Sequence, residues 1–165
     1  MKSLREAWRN YFFEPNPPTD LAVSRLLFYG ILFFFYLPQD WSVWGEVDQA
    51  FWMPIGLFEK LHIPVLASSW LAVLQTVWKC SLALCALGFL TRLSSLTAFV
   101  LSVYLLGLPH NFGKTHHYDA MVILILGILA VSRAGDAWSL DRLLALARRR
   151  NLRSVEQRPA SGEYT

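Results

Sequence analysis

Charge is what this chain has least of. Only 16% of its 165 residues are Asp, Glu, Lys or Arg, while 55% are hydrophobic; an ordinary soluble domain carries roughly a quarter charged residues. The shortage is uneven. Leu21–Leu37, Trp70–Leu90, Leu93–Leu108 and Ala120–Val131 each hold at most one charged side chain. Such blocks exclude a soluble domain with one large core and point to an integral membrane protein.

Cysteine is nearly absent too. Cys80 and Cys85 are the only two and form no CxxC pair. On one helix they point about 140° apart, so they cannot bridge and read as small packing residues. No phosphate-reading motif accompanies the basic residues, which excludes nucleic acid as the expected partner. The N-terminal apolar block starts late and is followed by Pro38-Gln39-Asp40-Trp41, without a small-x-small cleavage site. The first span is therefore kept rather than cleaved as a signal peptide. No internal repeat is present.

The net charge of +3 is distributed asymmetrically. Lys2, Arg5 and Arg9 precede the first apolar block. Arg133, Arg142, Arg148, Arg149, Arg150, Arg153 and Arg158 follow the last, and Arg92 lies in the link between blocks two and three. Only Lys60 and Lys114 fall in the other two links. With four spans the positive-inside rule places both termini in the cytoplasm, as in a multi-pass protein of a bacterial inner membrane.

The expected fold is all-α: a polytopic four-helix transmembrane bundle with interfacial amphipathic helices. Residues 1–18 read as a cytoplasmic interfacial helix ended by Pro15, Pro17 and Pro18. The membrane domain covers 19–133, with spans at about 20–37, 69–90, 93–108 and 117–132. Pro109 is expected to stop the third. Residues 38–69 mix Trp41, Trp44, Phe51 and Trp52 with Asp40, Glu46, Asp48 and Glu59, which suits an ordered interfacial cap on the non-cytoplasmic face. Residues 134–153 read as a basic amphipathic helix for anionic lipid, started by Ser139 as N-cap with Asp141 in its first turn. Residues 154–165 read as a disordered tail.

Two charged residues lie inside spans. Arg25 sits one turn into the first, and either snorkels to headgroups or turns inward to hold a carboxylate or carbonyl. Lys79 is near the middle of the second, where lipid exposure would cost on the order of 2.5–3.5 kcal/mol. It must face the bundle and find an acceptor, as a polar tether or as part of a site, or be neutral, with Gln75 on the same face.

The most polar stretch outside the termini is Pro109-His110-Asn111-Phe112-Gly113-Lys114-Thr115-His116-His117-Tyr118-Asp119. Adjacent histidines on a helix diverge by about 100° and no HxxxH or HExxH spacing exists, so no metal is assigned. Acid–base chemistry and plain capping of the last span both remain open. The chemical reading places His117, His116 and Asp119 as catalytic candidates. Asn111, Lys114, Tyr118, Lys79 and Arg25 are the substrate-binding candidates, beneath the aromatic cap.

Phe12-Phe13-Glu14-Pro15 ahead of a span with Arg25, the His-rich island, and Trp138-Ser139-Leu140-Asp141 after the last span together resemble the horizontally transferred transmembrane domain family. That family includes the vitamin K-dependent gamma-carboxylases and the sporulation-delaying toxin maturation proteins. Most of residues 11–145 take part. The resemblance implies that His116-His117 stands for the carboxylases' Asn-His and His117 for the required His, with a quinone or quinol as cofactor and a peptide or a membrane subunit as partner. The Ala-Gly-x-x-Lys-Leu segment that carries the carboxylases' catalytic lysine has no counterpart here, and Lys79 does not match it. An N-terminal portion or a reduced relative is therefore expected, and the carboxylase reaction is not assigned. Two functions follow: part of a quinone-coupled or peptide-modifying membrane enzyme, or a non-catalytic DoxX-like bundle serving as partner or scaffold.

Overall fold

The computed structural model describes residues 19–114, 117–132 and 139–156. The N-terminal segment with its expected interfacial helix, His116, the segment 133–138 with Trp138, and the tail from 157 onward lie outside the described residues. Among the described residues six α-helices follow in order: α1 Thr19–Tyr36, α2 Leu57–Lys60, α3 Ser68–Leu87, α4 Thr91–Asn111, α5 His117–Val131 and α6 Leu140–Glu156. Two 3₁₀ turns, Ser42–Gly45 and Gln49–Phe51, lie between α1 and α2. Among the described residues there is no strand. Helices α1, α3 and α4 are long and apolar enough to cross a membrane; α5 is apolar but has 15 residues.

α3 packs against both α1 and α4, and α5 packs on α4. The face that α1 buries is a stripe at alternating three- and four-residue spacing, Ala22, Arg25, Tyr29, Leu32 and Tyr36, which is one side of a helix. Trp78 of α3 is fully buried and donates its indole N–H to Ser102 Oγ at 2.7 Å; Ser102 in turn donates to Ala98 O at 2.7 Å. A small hydroxyl thereby lets α4 approach a large ring and satisfies its only polar atom. The outward faces leave Ile31, Phe34, Leu96, Leu124 and Val131 exposed, the surface that acyl chains would cover.

Helix ends differ from the sequence expectation for identifiable reasons. α3 stops at Leu87 because Gly88 takes a left-handed conformation, φ 71°, with Phe89 N–H on Leu84 O at 2.9 Å and Gly88 N–H on Cys85 O at 3.1 Å. That closing motif suits glycine. A Cβ on Gly88 would fall 2.6 Å from Ser139 Cβ and 2.8 Å from Arg25 Nη2. α4 starts earlier than expected because Asp141 caps it: Oδ1 accepts Leu90 N–H at 2.8 Å, and Oδ2 accepts Thr91 N–H at 2.9 Å and Thr91 Oγ1 at 3.0 Å. α4 also passes Pro109 instead of stopping there. The proline lacks an N–H, but the helix closes one turn later at Gly113, φ 80°, with Lys114 N–H on Pro109 O at 3.0 Å. Asn111 Nδ2 donates to Gly107 O at 2.8 Å within that last turn.

Candidate functional site

Where α1 ends, the chain is held against the flank of α3. Lys79 Nζ donates to Leu37 O at 3.1 Å and Gln39 O at 2.6 Å. These carbonyls follow the last turn of α1, where a cation is favourable. The middle of α3 is thus level with the end of α1. Gln75, one turn away, accepts Trp41 N–H on Oε1 at 2.8 Å and donates from Nε2 to Asp40 Oδ1 at 2.9 Å. Asp40 Oδ1 also accepts Ser42 N–H at 2.9 Å and Ser42 Oγ at 2.7 Å. The Ser42 amide first, then the Ser42 hydroxyl, the Gln75 amide and the Lys79 charge, hold the Asp40 carboxyl below the usual carboxylate range.

These contacts fix one wall of a polar cavity of about 180 Å³. Tyr36, Trp41, Trp44 and Tyr118 supply rings; Asp40, Asp119 and Lys114 supply charge. Asp119, 3% exposed, stands at its inner end. Tyr36 donates its hydroxyl to Asp119 Oδ1 at 3.4 Å, and His110 Nε2 lies 3.4 Å from Asp119 Oδ2. Trp41 is 7% exposed, and its indole Nε1 is buried with no acceptor among the described residues. An unpaired buried donor costs about 1–3 kcal/mol.

The candidates divide accordingly. Asp119, Lys114 and Tyr118 line the cavity. His117 is exposed at the first position of α5 and is not among the lining residues; Asp119 faces His110 and Tyr36 instead. Asn111 is buried and ties down the cap: its Oδ1 accepts Ile55 N–H at 2.8 Å and its carbonyl accepts Met53 N–H at 2.9 Å. Lys79 holds the neighbouring turn.

Arg25 lies at the other end of the bundle. It is fully buried rather than snorkelling, and interacts electrostatically with Cys85, Asp141 and Tyr29. Burial disfavours the charged form of Asp141, yet the Thr91 and Leu90 amides, the Thr91 hydroxyl and the Arg25 charge outweigh it. The Asp141 carboxyl therefore sits below its ordinary range. Ser139 caps α6 as expected, accepting Arg142 N–H at 3.2 Å.

Tyr36, His110 and Trp41 were not singled out as site residues from the sequence. For Tyr36 the signal was present in the Arg25–Tyr29–Tyr36 stripe. For His110 it was hidden by reading Pro109 as a helix stop.

The larger hollows are of another kind. One of about 670 Å³ runs along α4 and α5 between Leu96, Phe99, Ile123 and Ile128. Another of about 290 Å³ lies between α3 and α4 beside Cys80 and Thr97. Both are apolar grooves. Comparison with protein-family models, with curated proteins and with solved structures finds no match.

Proposed function

We propose that this chain is a four-span inner-membrane protein, both termini cytoplasmic, whose cavity beside α1 and α5 receives the headgroup of a quinone or quinol. One observation carries the reading. A buried carboxylate, Asp119, is held by a tyrosine and a histidine in a small cavity that is also lined by Trp41, whose buried indole N–H is unpaired among the described residues. The residues suit such a headgroup: Trp41 Nε1 and the Lys114 ammonium can donate to a carbonyl oxygen, and Asp119 can accept from a hydroxyl. The quinol would supply redox chemistry. The chain's own groups bind and orient the ring, and Asp119 with His110 holds or passes a proton. The resemblance to the horizontally transferred transmembrane domain family, and with it a peptide-modifying role, belongs to the same proposal.

The test is binding of decylubiquinone to the purified chain in nanodiscs, read by tryptophan fluorescence. Asp119→Asn and Trp41→Phe should each weaken binding roughly tenfold, in line with loss of one buried hydrogen bond to a ligand. Saturable binding that both variants leave unchanged would remove the site. The topology is checked separately with Ala50→Cys and Leu146→Cys in a background without Cys80 and Cys85. Labelling of both positions from one side of the membrane would contradict it.

The scaffold reading, a DoxX-like bundle, has an observation of its own. α5 buries only Asp119, Leu126 and Leu129 and leaves an apolar groove along α4, a surface that a partner subunit could cover. α6, with exposed Leu143 and Leu144 and the cations Arg142 and Arg148, is proposed to lie on anionic lipid.

A further inference from the structure

α6 grips the membrane helices with its beginning. Ser139 is buried against Gly88, where an added Cβ would fall 2.6 Å from Ser139 Cβ. Asp141 N–H donates to Gly88 O at 3.1 Å. The Asp141 carboxylate accepts the Leu90 and Thr91 amides and the Thr91 hydroxyl. One residue of α6 therefore holds both sides of the α3–α4 turn: the carbonyl of the glycine that closes α3 and the amides that open α4. Beyond it the helix leaves the bundle, and every side chain from Arg142 to Arg148 is exposed.

Helical spacing decides what else α6 can touch at the same time. At about 100° per residue, Leu143, Leu144 and Ala147 fall within about 60° of Leu140, and Asp141 stands about 60° beyond Leu144. The leucine face and the residue that grips the turn are thus neighbouring sectors of one helix. The turn joins two helices long enough to cross a membrane, so it stands at a bilayer face. A helix lying along that face can sink its leucines while Asp141 still reaches sideways into the turn. A 17-residue helix whose side chains are bare past the first turn is marginal in water. The surface that takes up its leucines therefore also decides how well its first turn, and Asp141 with it, is ordered.

We infer that α6 is a lipid-dependent latch: seating its leucine face on an anionic membrane surface holds Asp141 in the α3–α4 turn, and lifting it off frees the turn. The inference rests on the reading of α6 as a helix on anionic lipid. It adds that a lipid which binds the seated form better than the loose one raises the fraction of chains with a closed turn.

Hydrogen exchange of the whole chain tests it, in nanodiscs of phosphatidylcholine alone and of phosphatidylcholine with phosphatidylglycerol. Exchange is read at residues 143–148, at Leu90 and Thr91, and at the middle of α4 from Leu96 to Leu105. Phosphatidylglycerol should slow exchange at 143–148 and slow Leu90 and Thr91 about fivefold or more, with the middle of α4 unchanged. Leu144→Glu, which alters an exposed side chain of the leucine face, should remove the lipid effect at both places. Slower exchange at 143–148 with none at Leu90 and Thr91 would overturn the latch and leave α6 on the lipid. No lipid effect at 143–148 would overturn both readings. An equal slowing along all of α4, or a lipid effect that survives Leu144→Glu, would assign the response to the bundle as a whole and overturn the latch.

Discussion

Tyr36, in the last turn of α1, donates its hydroxyl to Asp119 in the first turn of α5, across 83 positions of sequence. α1 packs chiefly on α3, and α5 on α4, so this contact ties the two outer helices of the row together at the cavity. If the tie carries energy, Tyr36→Phe and Asp119→Asn should couple. A double-mutant cycle on thermal unfolding in detergent should give about 0.5–3 kcal/mol of interaction. Additive effects would show that the two groups are merely neighbours.

Lys79→Met should uncover the carbonyls of Leu37 and Gln39, which its ammonium now satisfies. The cost should be about 1–3 kcal/mol. Hydrogen exchange at residues 38–42 should accelerate while α4 stays protected. An unchanged exchange pattern would mean that water replaces the amine without penalty.

Gly88→Ala should be among the most damaging single-methyl changes in the chain. The residue has φ 71°, and its Cβ would meet Ser139 and Arg25. Gly113→Ala is the control, with φ 80° but nothing within 4 Å. It should incur the left-handed backbone cost alone, about 1 kcal/mol, and Gly88→Ala clearly more. Equal losses of unfolding temperature would contradict the close packing at Gly88.

Asp141 has a carboxyl below its ordinary range in the folded protein. It therefore favours folding most above the unfolded-state value of about 4, and that contribution fades as pH falls through the lower folded-state value. Stability should be flat with respect to this group from neutrality down to about pH 5 and decline in stronger acid. Asp141→Asn should lower stability at neutral pH and flatten the acid limb. A variant with an unchanged acid limb would place the titration elsewhere, Asp40 being the first alternative because it shifts in the same direction.

The apolar blocks made three spanning helices legible within a few residues, because length and hydropathy decide them locally. One error came from an interaction that crosses the chain: nothing near Thr91 announces that Asp141, fifty residues later, will start α4 there. The other was local: Gly113, four residues after Pro109, closes the helix, and the proline was read as the stop in its place. With α4 ended early, His110 read as loop, and His117 was taken as the histidine beside Asp119, whereas His110 Nε2 lies 3.4 Å from that carboxylate. Lys79 and Arg25 were recognised as groups needing acceptors, but the level of each acceptor depends on how the helices are staggered, which residue spacing does not encode. Asn111 was drawn to the site by its chemistry and proves to be a fastener for the cap.

The cap on α4 has a temporal consequence. Leu90 and Thr91 leave the ribosome well before Asp141, so the α3–α4 turn begins its life without the carboxylate that completes it. At roughly 5–20 residues per second, the interval is several seconds, during which two helices are in place with open amides at their joint. A helix made later, α6, is thus the one that locks the α3–α4 hairpin. A chain interrupted before Asp141 would hold α1, α3, α4 and α5 and still be unfinished.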